Sequence, residues 1–231
     1  MLERPKYVLC PRLRMLLVVG SLWALCLGSA AGVAMNGEAR DPTAKKQILA
    51  EEYVNCNCLD GTRGAFYPNI NPQGNDTWVI YLNGGGECTD EASCAQRQKT
   101  KLGSSTLMDP LLYMNYGVLD ISPSTNPHFS SANFVRIGYC SGDLFLGSRQ
   151  DPVPVANSSS LYFQGRWIVH GVLDTLVQQY GLLSAKTIIF GGESAGGIGS
   201  LALMDEVGIA LSSLPSVSFT PIYLSLAHFI S

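Results

Sequence analysis

The segment Gly191–Ser200, GGESAGGIGS, constrains the fold of this chain more than any other. It follows the apolar run Lys186–Phe190 (KTIIF) and opens a stretch that reads as a helix as far as Ala210. Within it, Gly192-Glu193-Ser194-Ala195-Gly196 makes a G-x-S-x-G pattern. A serine held on a tight strand-to-helix turn needs small neighbours on both sides, because a larger side chain would strike the strand or the helix. Such a turn lifts the Ser194 hydroxyl clear of the sheet and leaves the Ala195 amide at a helix N-terminus, where it can receive an oxyanion. A phosphate cradle is the competing reading of so many glycines. No G-x-x-x-x-G-K-[ST] pattern is present, and Gly197-Ile198-Gly199 is followed by Ala202 with no acidic residue after Glu206. Neither a P-loop nor a dinucleotide turn therefore fits. A purely structural glycine turn stays open.

The surrounding pattern supports a nucleophile. Trp78–Leu82 is a continuous apolar run that breaks into Asn83-Gly84-Gly85-Gly86, which reads as a buried strand ending in a glycine loop. Phe134–Cys140 reads as a second strand. Between Phe163 and Tyr180 the residues Ile168, Val169, Val172, Leu173, Leu176, Val177 and Tyr180 form a helical stripe. His170 falls one step off that stripe, which predicts a partly exposed helix residue. Strand, loop, strand, helix, strand, helix describes a mostly parallel α/β sheet covered on both faces. An acyl-transfer site needs a second oxyanion donor, and a glycine-rich loop after an earlier strand supplies it in α/β-hydrolases. Gly84–Gly86 stands in that place.

At 231 residues and a net charge of -3, with 14% charged residues and no basic patch, the chain has the size of one domain with an extension and no footprint for nucleic acid. Arg4, Lys6, Arg12 and Arg14 precede an uncharged stretch from Met15 to Gly37. Residues 1–34 read as a signal peptide cleaved after Ala30 or Ala34, with an uncleaved type II membrane anchor as the alternative. Residues 35–55 are polar and read as a tether, 56–210 as the domain, and 211–231 as a divergent tail. Cys56, Cys58, Cys88, Cys94 and Cys140 then lie in an oxidising compartment, where Cys88 and Cys94 are close enough in sequence to close a small loop. Five is odd, so one thiol is left over. His128, His170 and His228 are far apart and no Cys/His pair has zinc spacing, so no metal or cofactor is expected. Asn75-Asp76-Thr77 and Asn157-Ser158-Ser159 are glycosylation sequons.

Several blocks, in order, resemble the family of pectin acetylesterases and their animal relative Notum. Cys58-Leu59-Asp60-Gly61 is similar to its CLDG opening. Trp78–Cys88, with Cys94 and Arg97 following, resembles its WLIHLEGGGWC…C…R block. Gly103-Ser104-Ser105, the strand ending Tyr139-Cys140-Ser141-Gly142-Asp143, Phe163-Gln164-Gly165-Arg166 and the Gly192–Gly197 elbow match further blocks. The resemblance covers roughly residues 56–207 and implies an α/β-hydrolase-like three-layer sandwich, incomplete at its C-terminal side. It implies Ser194 as nucleophile, Gly85, Gly86 and Ala195 as oxyanion donors, and a Cys88–Cys94 disulfide beside the glycine loop.

The implied activity is a secreted serine carboxylesterase that removes O-acetyl groups from a polysaccharide. The same chemistry on a fatty-acylated protein, as in Notum, is the alternative. Glu87 stands where the plant enzymes carry tryptophan, Asn83 where they carry glutamate, and Glu193 where Cys or Ser is usual. Family members place an acid and then a histidine after the elbow. The stretch after Ala210 holds no carboxylate, and His228 stands among apolar residues. A third reading is therefore a non-catalytic remnant that keeps the fold and binds a glycan or a partner.

Overall fold

The computed structural model describes residues 40–155, 160–212 and 225–226. Among them lie the strands β1 (Thr43–Lys45), β2 (Gln47–Ile48), β3 (Ala65–Asn69), β4 (Thr77–Leu82), β5 (Leu111–Tyr113), β6 (Asn133–Ile137), β7 (Thr187–Glu193) and β8 (Ser225–Leu226). The helices are α1 (Glu91–Arg97), α2 (Gly165–Gln179) and α3 (Ala195–Ser212). Six strands form one sheet in the order β2-β3-β6-β4-β7-β8, and β1 pairs with β5 in a separate antiparallel ribbon. The pairs β4–β6, β4–β7 and β7–β8 are parallel, while β3 runs antiparallel to β6 and to β2.

Strand β4 is apolar along its whole length because both of its faces are buried. Trp78, Ile80 and Leu82 enter one core with Ile168, Val169, Val172 and Leu176 of α2 and Leu203, Val207 and Leu211 of α3. Val79 and Tyr81 enter the other, with Phe134, Ile189, Ala44, Met114 and Leu119. The result is an α/β-hydrolase-like three-layer sandwich with a mostly parallel sheet. Helices cover one face. The second face is covered by the β1–β5 ribbon and the irregular segment before β6.

Residues 40–55, read from the sequence as a tether, depart from that expectation. Polar side chains alternate there with Ala44, Leu49 and Tyr53, and those three are buried. The segment carries β1 and β2 and packs into both cores. Strand β3 (AFYPN) contains Pro68, which lacks the N–H a central strand needs. Only Phe66 and Ala65 of β3 pair with β2, so at Pro68 that side of the strand has no partner to lose.

Among the described residues two disulfides form, Cys58–Cys140 and Cys88–Cys94. Cys56 joins neither; it is buried with its thiol 2.9 Å from the Trp167 carbonyl oxygen. Among the described residues no helix is long and apolar enough to cross a membrane. The apolar stretch 15–37, Asn157 and His228 lie outside the described residues.

Candidate active site

The elbow is built by three backbones meeting. Strand β7 ends at Glu193, Ser194 follows with φ +49°, and α3 starts at Ala195. A non-glycine residue in the left-handed region costs about 1–3 kcal/mol and persists only where its surroundings impose it. Here a methyl at Gly196 would collide with the Leu82 carbonyl at the end of β4, and one at Gly192 would lie 2.5 Å from the Gly196 carbonyl carbon. The small residues let strand and helix touch at this point. Ser194 is exposed, Ala195 is buried, and the Ala195 amide is the first of α3. The first amides of a helix have no partner inside it.

Sheet register brings the glycine loop to the serine. Because Leu82 of β4 is paired with Gly192 of β7, the two strands end together and their exit loops emerge side by side. A Cβ on Gly84 would sit 3.1 Å from the Ser194 Cβ, so Gly84 packs directly on Ser194. Gly85 (φ +155°) and Gly86 (φ +65°) continue the loop through conformations open to glycine. Arg97 at the end of α1 then clamps it, donating from Nη1 to the Gly85 carbonyl at 2.8 Å and from Nη2 to the Glu87 carbonyl at 3.0 Å. The Cys88–Cys94 disulfide ties the same loop to α1, whose start carries a capping box of Asp90 and Ser93.

The segment after β6 forms a third support. The Cys88 amide donates to the Gly142 carbonyl at 3.1 Å. Asp143 accepts from Ser141 Oγ (2.5 Å), the Phe145 amide (3.1 Å) and the Gly165 amide (3.0 Å), which caps α2 from a distance in sequence. Burial pushes the Asp143 carboxyl up, and these hydrogen bonds oppose that rise.

A cleft of about 200 Å³ opens beside the elbow, lined among others by Asn83, Gly84, Lys101, Asp109, Arg136 and Glu193. Arg136 donates from Nε to Asn83 Oδ1 at 3.0 Å and lies over the Tyr116 ring at 5.1 Å. Glu193 Oε1 is 3.5 Å from the Gly84 amide. Leu102, Met108, Leu112 and Tyr139 line the same cleft, so its walls are mixed.

His170 departs from its expected half-exposed position: it is 4% exposed, between α2 and α3. Its Nε2 lies 2.7 Å from Glu206 Oε1, an ion-pair distance, though neither ring nitrogen makes an aligned hydrogen bond. The carboxylate that draws it inward, also bound by Arg166 Nε at 2.9 Å, comes from another helix and so could not show in the periodicity of α2. Of the described histidines, His170 faces Glu206 and His128 is exposed on the loop before β6, and among the described residues no group of three or more His, Cys, Asp or Glu could hold a metal ion. Asn75 is at the other end of the sheet, in a turn where its Oδ1 accepts from the Thr77 amide at 2.7 Å.

A single block, Trp78–Arg97, thus contributes the strand, the loop, its disulfide and its arginine clamp. Residues 38–221 match the pectinacetylesterase family model. The chain is a member of the pectinacetylesterase family. Pectin acetylesterase 5 of Arabidopsis thaliana is 38% identical over 149 residues, which is 64% of this chain and 34% of the plant protein. Palmitoleoyl-protein carboxylesterase notum1 of Xenopus laevis is 34% identical over 176 residues, 75% of this chain and 34% of that relative. The chain therefore spans about a third of the length of these curated relatives. The Wnt deacylase Notum from Drosophila superposes with a TM-score of 0.70 at 28% identity, covering 78% of this chain and 52% of the other. The Arg97 clamp was not foreseen as a clamp, although its residue stands in the family block three positions after Cys94.

Proposed function

We propose that this chain carries the nucleophile and oxyanion-binding part of a secreted serine carboxylesterase that removes O-acetyl groups from a polysaccharide. The observation that carries this reading is the exposed Ser194 at φ +49° with Gly84 seated against it. Ser194 Oγ attacks the ester carbonyl and passes its proton to a base. The tetrahedral oxyanion rests on the amides of Gly85, Gly86 and Ala195, the alcohol leaves, and water releases the acyl group from the serine. The base is not one of the described histidines, since His170 is committed to Glu206 and His128 is exposed on the loop before β6. Two disulfides suit an oxidising, extracellular compartment.

The small volume of the cleft favours acetyl over a fatty acyl group. A long acyl chain gains about 0.8 kcal/mol for each buried CH₂ and needs an apolar channel to do so. At about 200 Å³, a cleft whose walls mix Lys101, Asp109, Arg136 and Glu193 with Leu102, Met108 and Leu112 gives such a chain little room. Rates on nitrophenyl esters from acetyl to palmitoyl test the choice: the shortest ester is expected to be fastest, and a palmitoyl optimum would transfer the reading to a Notum-like acylated protein substrate.

One observation favours a non-catalytic glycan- or partner-binding role: of the described histidines, His170 faces Glu206 and His128 is exposed on the loop before β6. A fluorophosphonate probe decides. Labelling that is lost in Ser194→Ala supports the enzyme. No labelling of a chain that melts cooperatively supports the binding role.

A further inference from the structure

The glycine loop after β4 and the start of α3 form two sides of the site and come from distant parts of the chain. Residues 138–147, which leave β6, run between them and touch both. A Cβ on Gly85 would lie 2.8 Å from Tyr139 Cδ1, so the loop rests on the Tyr139 ring. Gly199 lies one turn into α3 from Ala195. A Cβ there would lie 2.5 Å from the Leu144 carbonyl oxygen and 3.0 Å from Phe145 Cβ. The Tyr139 and Phe145 rings meet, with centroids 4.7 Å apart and planes inclined by 38°. Both side chains are buried. Loop, tyrosine, phenylalanine and helix thus make one unbroken line of contact.

The backbone beneath this line is held where side chains rarely go. Leu144 has φ +59° and Phe145 φ +62°, two consecutive non-glycine residues in the left-handed region. Such residues persist only where their surroundings impose them, and they gather at functional sites. Several restraints act here. The Leu144 amide donates to Tyr139 Oη at 2.8 Å, and the Phe145 amide to Asp143 Oδ1 at 3.1 Å. Asp143 also accepts from the Gly165 amide at the start of α2, and the Gly142 carbonyl accepts from the Cys88 amide of the glycine loop. Filling the core would ask for neither the two strained torsions nor the Tyr139 hydroxyl.

We propose that Tyr139 and Phe145 are positioning residues that fix the gap between the Gly85 and Gly86 amides and the Ala195 amide, a role that rests on the oxyanion function proposed above for those amides. Close-packed interiors transmit displacement, and stiff rings set a spacing that a flexible side chain would not. A thinner side chain at either position lets loop and helix shift, so that the donors no longer converge on one oxyanion. Phe145, fully buried, acts only through its neighbours.

The test is fluorophosphonate inactivation of Ser194 in the full chain. The limiting rate and the half-saturating probe concentration are measured separately, and each variant's urea midpoint is recorded. Phe145→Leu is expected to lower the limiting rate about 10- to 100-fold and to leave the half-saturating concentration within about twofold. Tyr139→Leu should lower the rate similarly, and Tyr139→Phe, which keeps the ring, should recover most of it. Phe134→Leu, in the core on the other face of the sheet, should lower the urea midpoint while the rate stays near native. Rates that simply follow the urea midpoint across the variants, or a native rate in Phe145→Leu, overturn the proposal. A native chain that is not labelled at all counts against the enzyme, and the backbone amide resonances of Gly85 and Gly86 then decide the positioning role. The side chains nearest a Cβ at these glycines are Leu102, Tyr139 and Arg97, so movement of both signals in Phe145→Leu supports transmission through the rings. Signals that stay in place overturn it.

Discussion

Ser194 holds its strained φ because Gly192, Gly196 and Leu82 leave the chain no room to relax. That makes Gly196 sensitive to one methyl group. Gly196→Ala must push α3 away from β4, with an expected loss of about 1–3 kcal/mol, readable as a lower urea midpoint. Arg97 acts differently. It holds the carbonyls of Gly85 and Glu87. Arg97→Gln should leave the urea midpoint nearly unchanged and slow fluorophosphonate labelling of Ser194 about 10- to 100-fold, because a displaced donor loses the geometry the transition state needs.

At the scale of elements, α2 and α3 meet through a polar contact inside an apolar interface. Arg166 and His170, one helical turn apart on α2, both face Glu206 of α3. Burial lowers the His170 pKa below its ordinary 6.5, and the neighbouring Arg166 adds to this, while Glu206 opposes it. A depressed folded pKa means that the neutral ring contributes stability that is complete above 6.5 and is lost as the pH falls through the folded value. Urea midpoints of the native chain should therefore fall more steeply between about pH 7.5 and about pH 5 than those of His170→Gln. Equal slopes would show that the histidine does not titrate with unfolding. The helices themselves were legible: the stripe of Ile168, Val172 and Leu176 marks α2, and the glycine turn marks the start of α3. The pairing of His170 was not, because periodicity reports one helix at a time and Glu206 belongs to another.

Over the whole molecule, the two disulfides close loops of very different length. Cys88 and Cys94 are 6 positions apart, Cys58 and Cys140 are 82 apart. The chain-entropy relation gives about 2.4 kcal/mol for the short loop and about 4.5 kcal/mol for the long one. Replacing Cys58 and Cys140 together by serine should therefore lower the denaturation midpoint more than the same change at Cys88 and Cys94. The short bridge should instead show itself in the labelling rate of Ser194, since it anchors the glycine loop. The long bridge ties the segment before β3 to the exit of β6, and Leu59 N donates to the Cys140 carbonyl at 2.7 Å beside it.

The sequence by itself determined the pieces whose requirements are local. A serine between glycines after an apolar run, a glycine triplet after another, and an apolar stripe with helical spacing each follow from sterics and periodicity within about a dozen residues. Only the tertiary structure decided which distant pieces meet. The register of β4 on β7 placed Gly84 on Ser194, and the short β2 tolerated Pro68 in β3. Cys58 was left to find Cys140, and the ribbon of β1 with the distant β5 closed the second face of the sheet. Those outcomes depend on packing between segments tens of residues apart, which no single stretch of sequence encodes.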